Sequence, residues 1–383
     1  MATMSVRKRK WKVKGTGELK EAWVVDYVDQ KGERHIQTFD RKKDADDYHS
    51  DVRVDVREGL HTPRTKSITV AEAAADWVSY IQAEKRERST IEQYSQHVRV
   101  HIAPRIGREK LDQLTTPRIN AFRDELLKEM SRAMAKKVLG SLKAILKDAR
   151  RRGNVAQNVA DDVSITNHGK TKLRLEVGKD IPTRREIQRI IDAAGRGRAL
   201  LLTAALTGMP ASELRGLRWS DVDLTKREIN VRQRADRYLK IGHPKSASGI
   251  RIIPIGDMVA NTLREWRLQC PRGDENLVFP TGVGTIENHS NLVQRILDPA
   301  QVAAGVVDGK GKPKYGMHSL RHFYASWCIN RKTDGGLELP PKTVQARLGH
   351  ASIVMTLDRY GHLFPSNDDG AELANAEKAL FAT

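Results

Sequence analysis

Four short stretches in the C-terminal half of the chain carry side chains able to handle a phosphate. HPKSASGIRIIPI holds Lys245 between two strand-like runs, and MHSLRHFYASW opens a helix with His318, Arg321 and His322. LGHAS sets His350 just past a Gly-ended helix, and LDRYGHLF contains Tyr360. A tyrosine hydroxyl can attack a phosphodiester when its proton is removed, the added negative charge is stabilised and the departing oxygen is protonated. Singly, each stretch has a plainer reading: a hairpin lysine, a helix-capping histidine, a turn histidine, an amphipathic tyrosine. His318 and His322, four apart on one helix face, also have the spacing of zinc ligands. HSLRH lacks the glutamate of the zinc-protease motif, however, and Arg321 would set a cation beside the metal. With no coherent third ligand elsewhere, neither a metal nor a cofactor is expected.

The elements that must position these groups belong to a chain of 383 residues, long enough for two or three domains. Lys and Arg number 67 against 48 Asp and Glu, a formal charge of +19, which favours a polyanionic partner such as nucleic acid. Two cysteines, Cys270 and Cys328, exclude a disulfide framework and suit a reducing compartment, read here as the cytoplasm. The longest apolar run, ALLLTAAL, is far short of a membrane span, and the first residues lack the apolar core of a signal peptide.

The predicted architecture is multidomain α+β. Residues 1–65 read as a small three-stranded sheet (RKRKWKVK, AWVVDYV, RHIQTF) followed by a helix over 41–57. The basic strand carries Arg7, Lys8, Arg9, Lys10, Lys12 and Lys14, and a ribbon of this kind fits a DNA major groove; a solvated basic arm is the plain alternative. Residues 66–165 read as an all-α domain: Val70–Ala83, Thr90–Ile102 ending before Pro104, Thr116–Glu129, and Ser131–Arg152 stopped by Gly153. Its last helix pairs an apolar stripe with a second stripe of Lys136, Gly140, Lys143, Lys147 and Arg150, either a phosphate-tracking face or a solvated one. Residues 166–180 read as a linker, and 181–383 as a mixed, mainly helical α/β domain holding the four stretches.

Together with TGMPASELRGLRW upstream, the stretches form an ordered series: TGMPASELRGLRW, KSASGIRIIPI, HSLRH, LGHASIVMTLDRYGHL. This series resembles the tyrosine recombinase family, in particular phage-type integrases similar to lambda integrase. The resemblance reaches upstream, where the helical domain looks like the family's core-site-binding domain and residues 1–65 look like an arm-site-binding domain. It implies a site-specific recombinase of a phage or mobile element, working without metal or ATP through a 3′-phosphotyrosine link and a Holliday junction. Carried over by position, Tyr360 is the nucleophile, Arg321 clamps non-bridging oxygens, His318 accepts a proton or donates to the phosphate, and Lys245 is the general acid. His350 would hydrogen-bond the phosphate, and Glu213 would orient its neighbours. The implied partners are double-stranded DNA at core and arm attachment sites, a homotetramer on that DNA with the C-terminal segment packed on a neighbour, a DNA-bending host factor and an excision factor.

One position departs from the pattern. The family's turn reads Thr-Gly-x-Arg, and that arginine is the first of two that hold the scissile phosphate; here the position is Pro210. In the first turn of a helix proline is sterically acceptable, so the fold should persist. Its lack of charge and donor predicts a weakened recombinase. The alternatives are recruitment of another cation, or a catalytically disabled DNA-binding regulator or architectural protein, for which TVQARLGHASIVMTLDRY reads as a helix-turn-helix.

Overall fold

The computed structural model describes residues 4–12, 19–29, 32–57, 67–155, 157–166, 174–364 and 370–381. Lys14 and residues 167–173 of the expected linker lie outside the described residues. The chain divides into two compact units, Met1–Lys170 and Thr171–Thr383.

In the first unit, β1 (Ser5–Lys12), β2 (Leu19–Val28) and β3 (Arg34–Phe39) form an antiparallel sheet with β2 central. Alternation along β2 turns Trp23, Val25 and Tyr27 toward α1 (Lys42–Arg57), where Val25, Tyr27, Ala45 and Val52 form a small core. The same alternation divides the basic strand. Lys8 and Lys10 reach Glu21, while Arg7, on the opposite face, pairs with Asp26.

The helical part of this unit begins at α2 (Val70–Ala83), whose Thr69 and Glu72 cap each other's backbone N–H groups. The expected helix end before Pro104 is corrected: α3 (Arg88–Gln96) continues through a π-helical turn, His97–Ile102, into α4 (Ala103–Ile106). Ala103 N–H donates to Val98 O, five residues back, and this wider turn accommodates the proline ring that an α-turn would press against a carbonyl. After α5 (Thr116–Glu129), α6 (Arg132–Arg151) buries Val138, Leu139, Leu142, Ile145 and Leu146 against α2 and α5. Each such side chain contributes roughly 1.5–3 kcal/mol. Gly153, at φ +77°, ends this helix.

The second unit is organised around α8 (Arg198–Thr207), eight of whose ten residues are buried. A helix apolar on all sides must be enclosed. α7 (Arg184–Asp192), α10 (Asp257–Gln269) and α13 (Met317–Ile329) enclose it. α9 (Ala211–Gly216) follows α8, and a three-stranded sheet ordered β4 (Val222–Asp223), β5 (Glu228–Val231), β8 (Arg251–Pro254) carries Ile229 and Ile253 into the core. Between β5 and β8, the hairpin β6 (Arg234–Ala235) and β7 (Ile241–Gly242) leads to the Lys245 connection. α11 (His289–Leu292) joins α12 (Asp298–Ala303) through a second π turn; α14 (Pro341–Leu348), α15 (Ile353–Tyr360) and α16 (Gly370–Phe381) close the chain. Residues 174–180, assigned to the linker from sequence, include a turn bonded to Ile181, and Leu175 packs on the core.

Candidate active site

The ends of helices build the site. α8 stops at Gly208, whose φ of +63° is the left-handed cap glycine favours. A Cβ there would meet the Tyr324 ring at 2.4 Å. The Gly208 carbonyl thereby faces α13 and accepts from Arg321 Nη1 at 2.8 Å. Leu348 O, at the end of α14, accepts from Arg321 Nη2 at 2.5 Å. Two carbonyls thus fix a guanidinium only 7% exposed, whose pKa burial and nearby Arg251 hold below the ordinary arginine value.

One helical turn along α13 from His318, His322 is buried and meets Tyr360 Oη with Nδ1 at 2.7 Å. Its Nε2 lies 3.4 Å from Arg359 Nη2. A guanidinium only donates, so Nε2 accepts and the single proton of the neutral ring sits on Nδ1, donating to the tyrosine oxygen. Burial holds the ring neutral, with its pKa lowered to about 3. Tyr360, the last residue of α15, is 1% exposed, and burial pushes its phenol up to about 12 against the pull of Arg321 and Arg359.

His350 follows the left-handed Gly349 that ends α14, its ring stacked on Tyr360 with centroids 6.4 Å apart and its Nδ1 2.9 Å from Thr356 Oγ1. Burial, then the charges of Arg321 and Arg251, lowers its pKa to about 4. His318 is exposed, its ring edge-on to His322 with centroids 4.5 Å apart; desolvation, then the charges of Arg321 and Arg359, holds it below the ordinary histidine value. Five side chains singled out around the HSLRH and LDRY stretches therefore converge: His318, Arg321, His322, His350 and Tyr360.

Glu213, buried on α9, takes a different partner. Arg251 of β8 donates to both its carboxylate oxygens, at 3.1 and 2.7 Å, and its Nε donates to Arg347 O at 2.8 Å. This pair joins α9, β8 and α14 behind the Arg321 clamp. Arg251 was not singled out from sequence, nor was His322 assigned a role at Tyr360. Both had a signal. In GIRIIPI, alternation puts Arg251 on the inward face with Ile253, and His322 interrupts the run LRHFYA on a helix that is otherwise nearly all buried.

Lys245 is exposed in the connection before β8, with no hydrogen bond or ion pair among the described residues. Its connection is tied to the His350 turn by Ser248 Oγ, which donates to Gly349 O at 3.3 Å. Pro210 lies one position earlier than the sequence places it: it is the N-cap of α9, with φ −60° and ψ 152°, and α9 starts at Ala211. Its fixed φ is as compatible with this extended position as with a helical one. Its carbonyl accepts from Glu213 and Leu214 N–H at 2.9 and 3.1 Å, and it offers no donor. In the first unit, Arg9 and Lys12 of β1 and Lys136 and Lys147 of α6 are exposed. Lys143 is half-buried, and its ammonium uses one of its three donors on Asp161 O at 2.9 Å. A Cβ on Gly140 would meet nothing within 4 Å.

A buried phenol, an arginine set by two carbonyls and imidazoles with lowered pKa values meet on one cluster of helix ends. Residues 183–367, just under half of the chain, match the phage integrase family, and the chain is similar over most of its length to tyrosine recombinases of that type. It is 24% identical over 358 residues to a XerC-like tyrosine recombinase of Caldanaerobacter subterraneus, covering 86% of this chain and 88% of that one. The ICEBs1 integrase of Bacillus subtilis is 23% identical, over 70% of this chain and 72% of its own length. Among solved structures, the Tn1549 transposon integrase in complex with circular intermediate DNA shares the fold with a TM-score of 0.63 at 19% identity, over 82% of this chain and 100% of that one. A lambda integrase tetramer bound to a Holliday junction gives 0.57 at 18% identity, over 86% and 93%.

Proposed function

We propose that this tyrosine recombinase cleaves and rejoins DNA at specific sites through a 3′-phosphotyrosine link to Tyr360, at a rate lowered by Pro210. The observation that carries the reading is the convergence of Tyr360 with His322, Arg321, His318 and His350 from three separate stretches of chain. In the cleavage step Tyr360 Oη bonds to phosphorus while the bond to the 5′ oxygen breaks. Arg321 and His350 donate to non-bridging oxygens, His318 takes the phenolic proton, and Lys245 protonates the departing oxygen. Burial, then Arg321 and Arg359, holds His318 below the ordinary histidine value, toward the neutral form a proton acceptor needs. A tyrosine 1% exposed meets no phosphodiester until the end of α15 shifts, so cleavage is gated by a movement that DNA and neighbouring subunits would supply.

Arg7, Lys8, Arg9, Lys10 and Lys12 on β1 then bind arm sites, and Lys136 and Lys147 on α6 bind the core site, with residues 1–65, 66–165 and 181–383 as the three working domains. DNA is the partner named for the Tn1549 and lambda integrase complexes, the latter as a tetramer. Leu373, Leu380 and Phe381 leave α16 with exposed apolar side chains for a neighbour in such a tetramer. The second reading, a disabled DNA-binding regulator, is favoured by Pro210 alone. Loss of one transition-state donor costs about 10²–10³ in rate, which slows a reaction and does not abolish it. The test is a covalent adduct assay on a nicked core site selected from randomised duplexes by binding. The recombinase reading predicts a slow adduct that is absent in Tyr360→Phe and at least tenfold faster in Pro210→Arg. Tight, salt-sensitive binding with no adduct from either Pro210 or Pro210→Arg protein contradicts it.

A further inference from the structure

We infer that Arg359 is a stand-in cation, supplying to the scissile phosphate part of the charge that position 210 lacks. The inference rests on the recombinase reading above. It begins from which guanidinium groups around the site are committed. Arg251 spends Nε on Arg347 O, Nη1 on Glu213 and Gly249 O, and Nη2 on Glu213. Arg215, close in sequence to Pro210, is buried with Nε on Glu287 O at 2.6 Å and Nη2 on Asp236 O at 2.8 Å. Arg218 is paired with Glu275. Neither Arg251 nor Arg215 can turn to a phosphate without stranding a buried acceptor or a carboxylate, and Arg218, in a half-exposed pair, has no hydrogen bond or ion pair to the Tyr360 cluster among the described residues.

Arg359 differs in both respects. It is exposed, and its one hydrogen bond among the described contacts is the long 3.4 Å approach to His322 Nε2. That contact is the weaker of the two His322 makes, at 3.4 Å against 2.7 Å to Tyr360, so it holds Arg359 less firmly than the short bonds that commit Arg215 and Arg251. Its charge is already felt by the reacting groups: Arg359 acts on His318, His322 and Tyr360, as Arg321 does. The three rings thus have two guanidinium groups near them, one fixed by two carbonyls and one held by a single long contact. A phosphate received by Arg321 and His318 would lie against these rings, and Arg359, adjacent in sequence to the nucleophile, arrives with Tyr360 when the end of α15 moves. Asp180 is the acidic group whose charge reaches His322, and the remaining charges facing this cluster, Arg251 and Glu213, are tied to each other.

The test is a two-by-two cycle of Arg359→Ala and Pro210→Arg, read as single-turnover adduct formation at saturating protein on the nicked core site, at pH 7 and pH 9. Arg359→Ala should slow the Pro210 protein about 10²-fold, the cost of one transition-state donor, and slow the Pro210→Arg protein less than about fivefold. Arg359→Lys should recover part of the loss. The slowing should be the same at both pH values, as expected for a phosphate contact. Equal slowing in both backgrounds overturns the inference, as does recovery at pH 9, which would place the effect on tyrosine ionisation. Adduct from Pro210→Arg with none from the Pro210 protein also overturns it, since no stand-in then exists, while leaving the site assignment intact. No adduct from either protein instead removes the recombinase reading on which it rests. Thermal melting of Arg359→Ala should match the parent, the side chain being exposed.

Discussion

Removing the Glu213 carboxylate should unsettle the site from behind. The side chains of Glu213 and Arg251 are 11% and 6% exposed and joined by two hydrogen bonds, so Glu213→Ala leaves a buried guanidinium without its counter-charge. Truncating one partner of such a pair costs about 3–5 kcal/mol. Arg347 O and Gly249 O still accept from Arg251, which places the expected loss near the lower end, roughly 3 kcal/mol. For a cooperative unit of this size, roughly 2–4 °C per kcal/mol gives a fall of about 6–12 °C in Tm. Calorimetry on the full chain reads this as a shift of one transition, with the transition of the first unit in place. Glu213→Leu combined with Arg251→Met removes both charges and should regain most of the loss. A shift below about 2 °C for Glu213→Ala, or a double variant as unstable as the sum of the singles, would refute the argument that this pair matters through charge compensation.

Three further outcomes follow from the same geometry. Gly208→Ala should lower stability by more than about 1 kcal/mol, since a Cβ meets both a left-handed φ and the Tyr324 ring, and should slow adduct formation by displacing the carbonyl that holds Arg321. Calorimetry and the adduct assay on one preparation check both effects. The folded protein holds His322 near 3 and His350 near 4, below the unfolded value of about 6.5. Their contribution is therefore complete above that value and is lost as pH falls toward 4, at about 1.4 kcal/mol per pH unit for each; denaturation between pH 6.5 and 4.5 should show this slope, reduced by one proton in His350→Gln. Glu186, lowered to about 2 by Lys314, Thr183 and Tyr315 against the opposing cost of burial, adds a loss between pH 4.5 and 2 that Glu186→Gln should abolish.

Legibility from sequence followed the range of the interactions involved. Helices with apolar stripes and local caps, such as α6 with Ser131 and Gly153, were visible because all their signals lie within a few residues. The helix through Pro104 was not, because a π turn is a hydrogen-bond choice that composition does not encode. Within the site, Tyr360, Arg321, His318 and His350 could be picked out as reactive types, whereas the bond from His322 to Tyr360 joins residues 38 apart and appears only when α13 meets α15. Arg251 illustrates the same limit: strand alternation marks it as inward, but its counter-charge lies 38 residues upstream on another element. Lys143 shows the same limit on a helix surface. Helical spacing puts it on a basic face, and only the fold shows that the chain returning at Asp161 takes one of its three donors.

The most direct test of the account is to locate the bond to DNA. Protein trapped on the nicked core site, digested with trypsin and sequenced by tandem mass spectrometry, should carry a nucleotide remnant on the peptide that begins at Tyr360, joined through a 3′-phosphate to the phenolic oxygen. A remnant on any other residue, a 5′-phosphate linkage, or an unmodified Tyr360 peptide recovered in full from protein tightly bound to the site would contradict it.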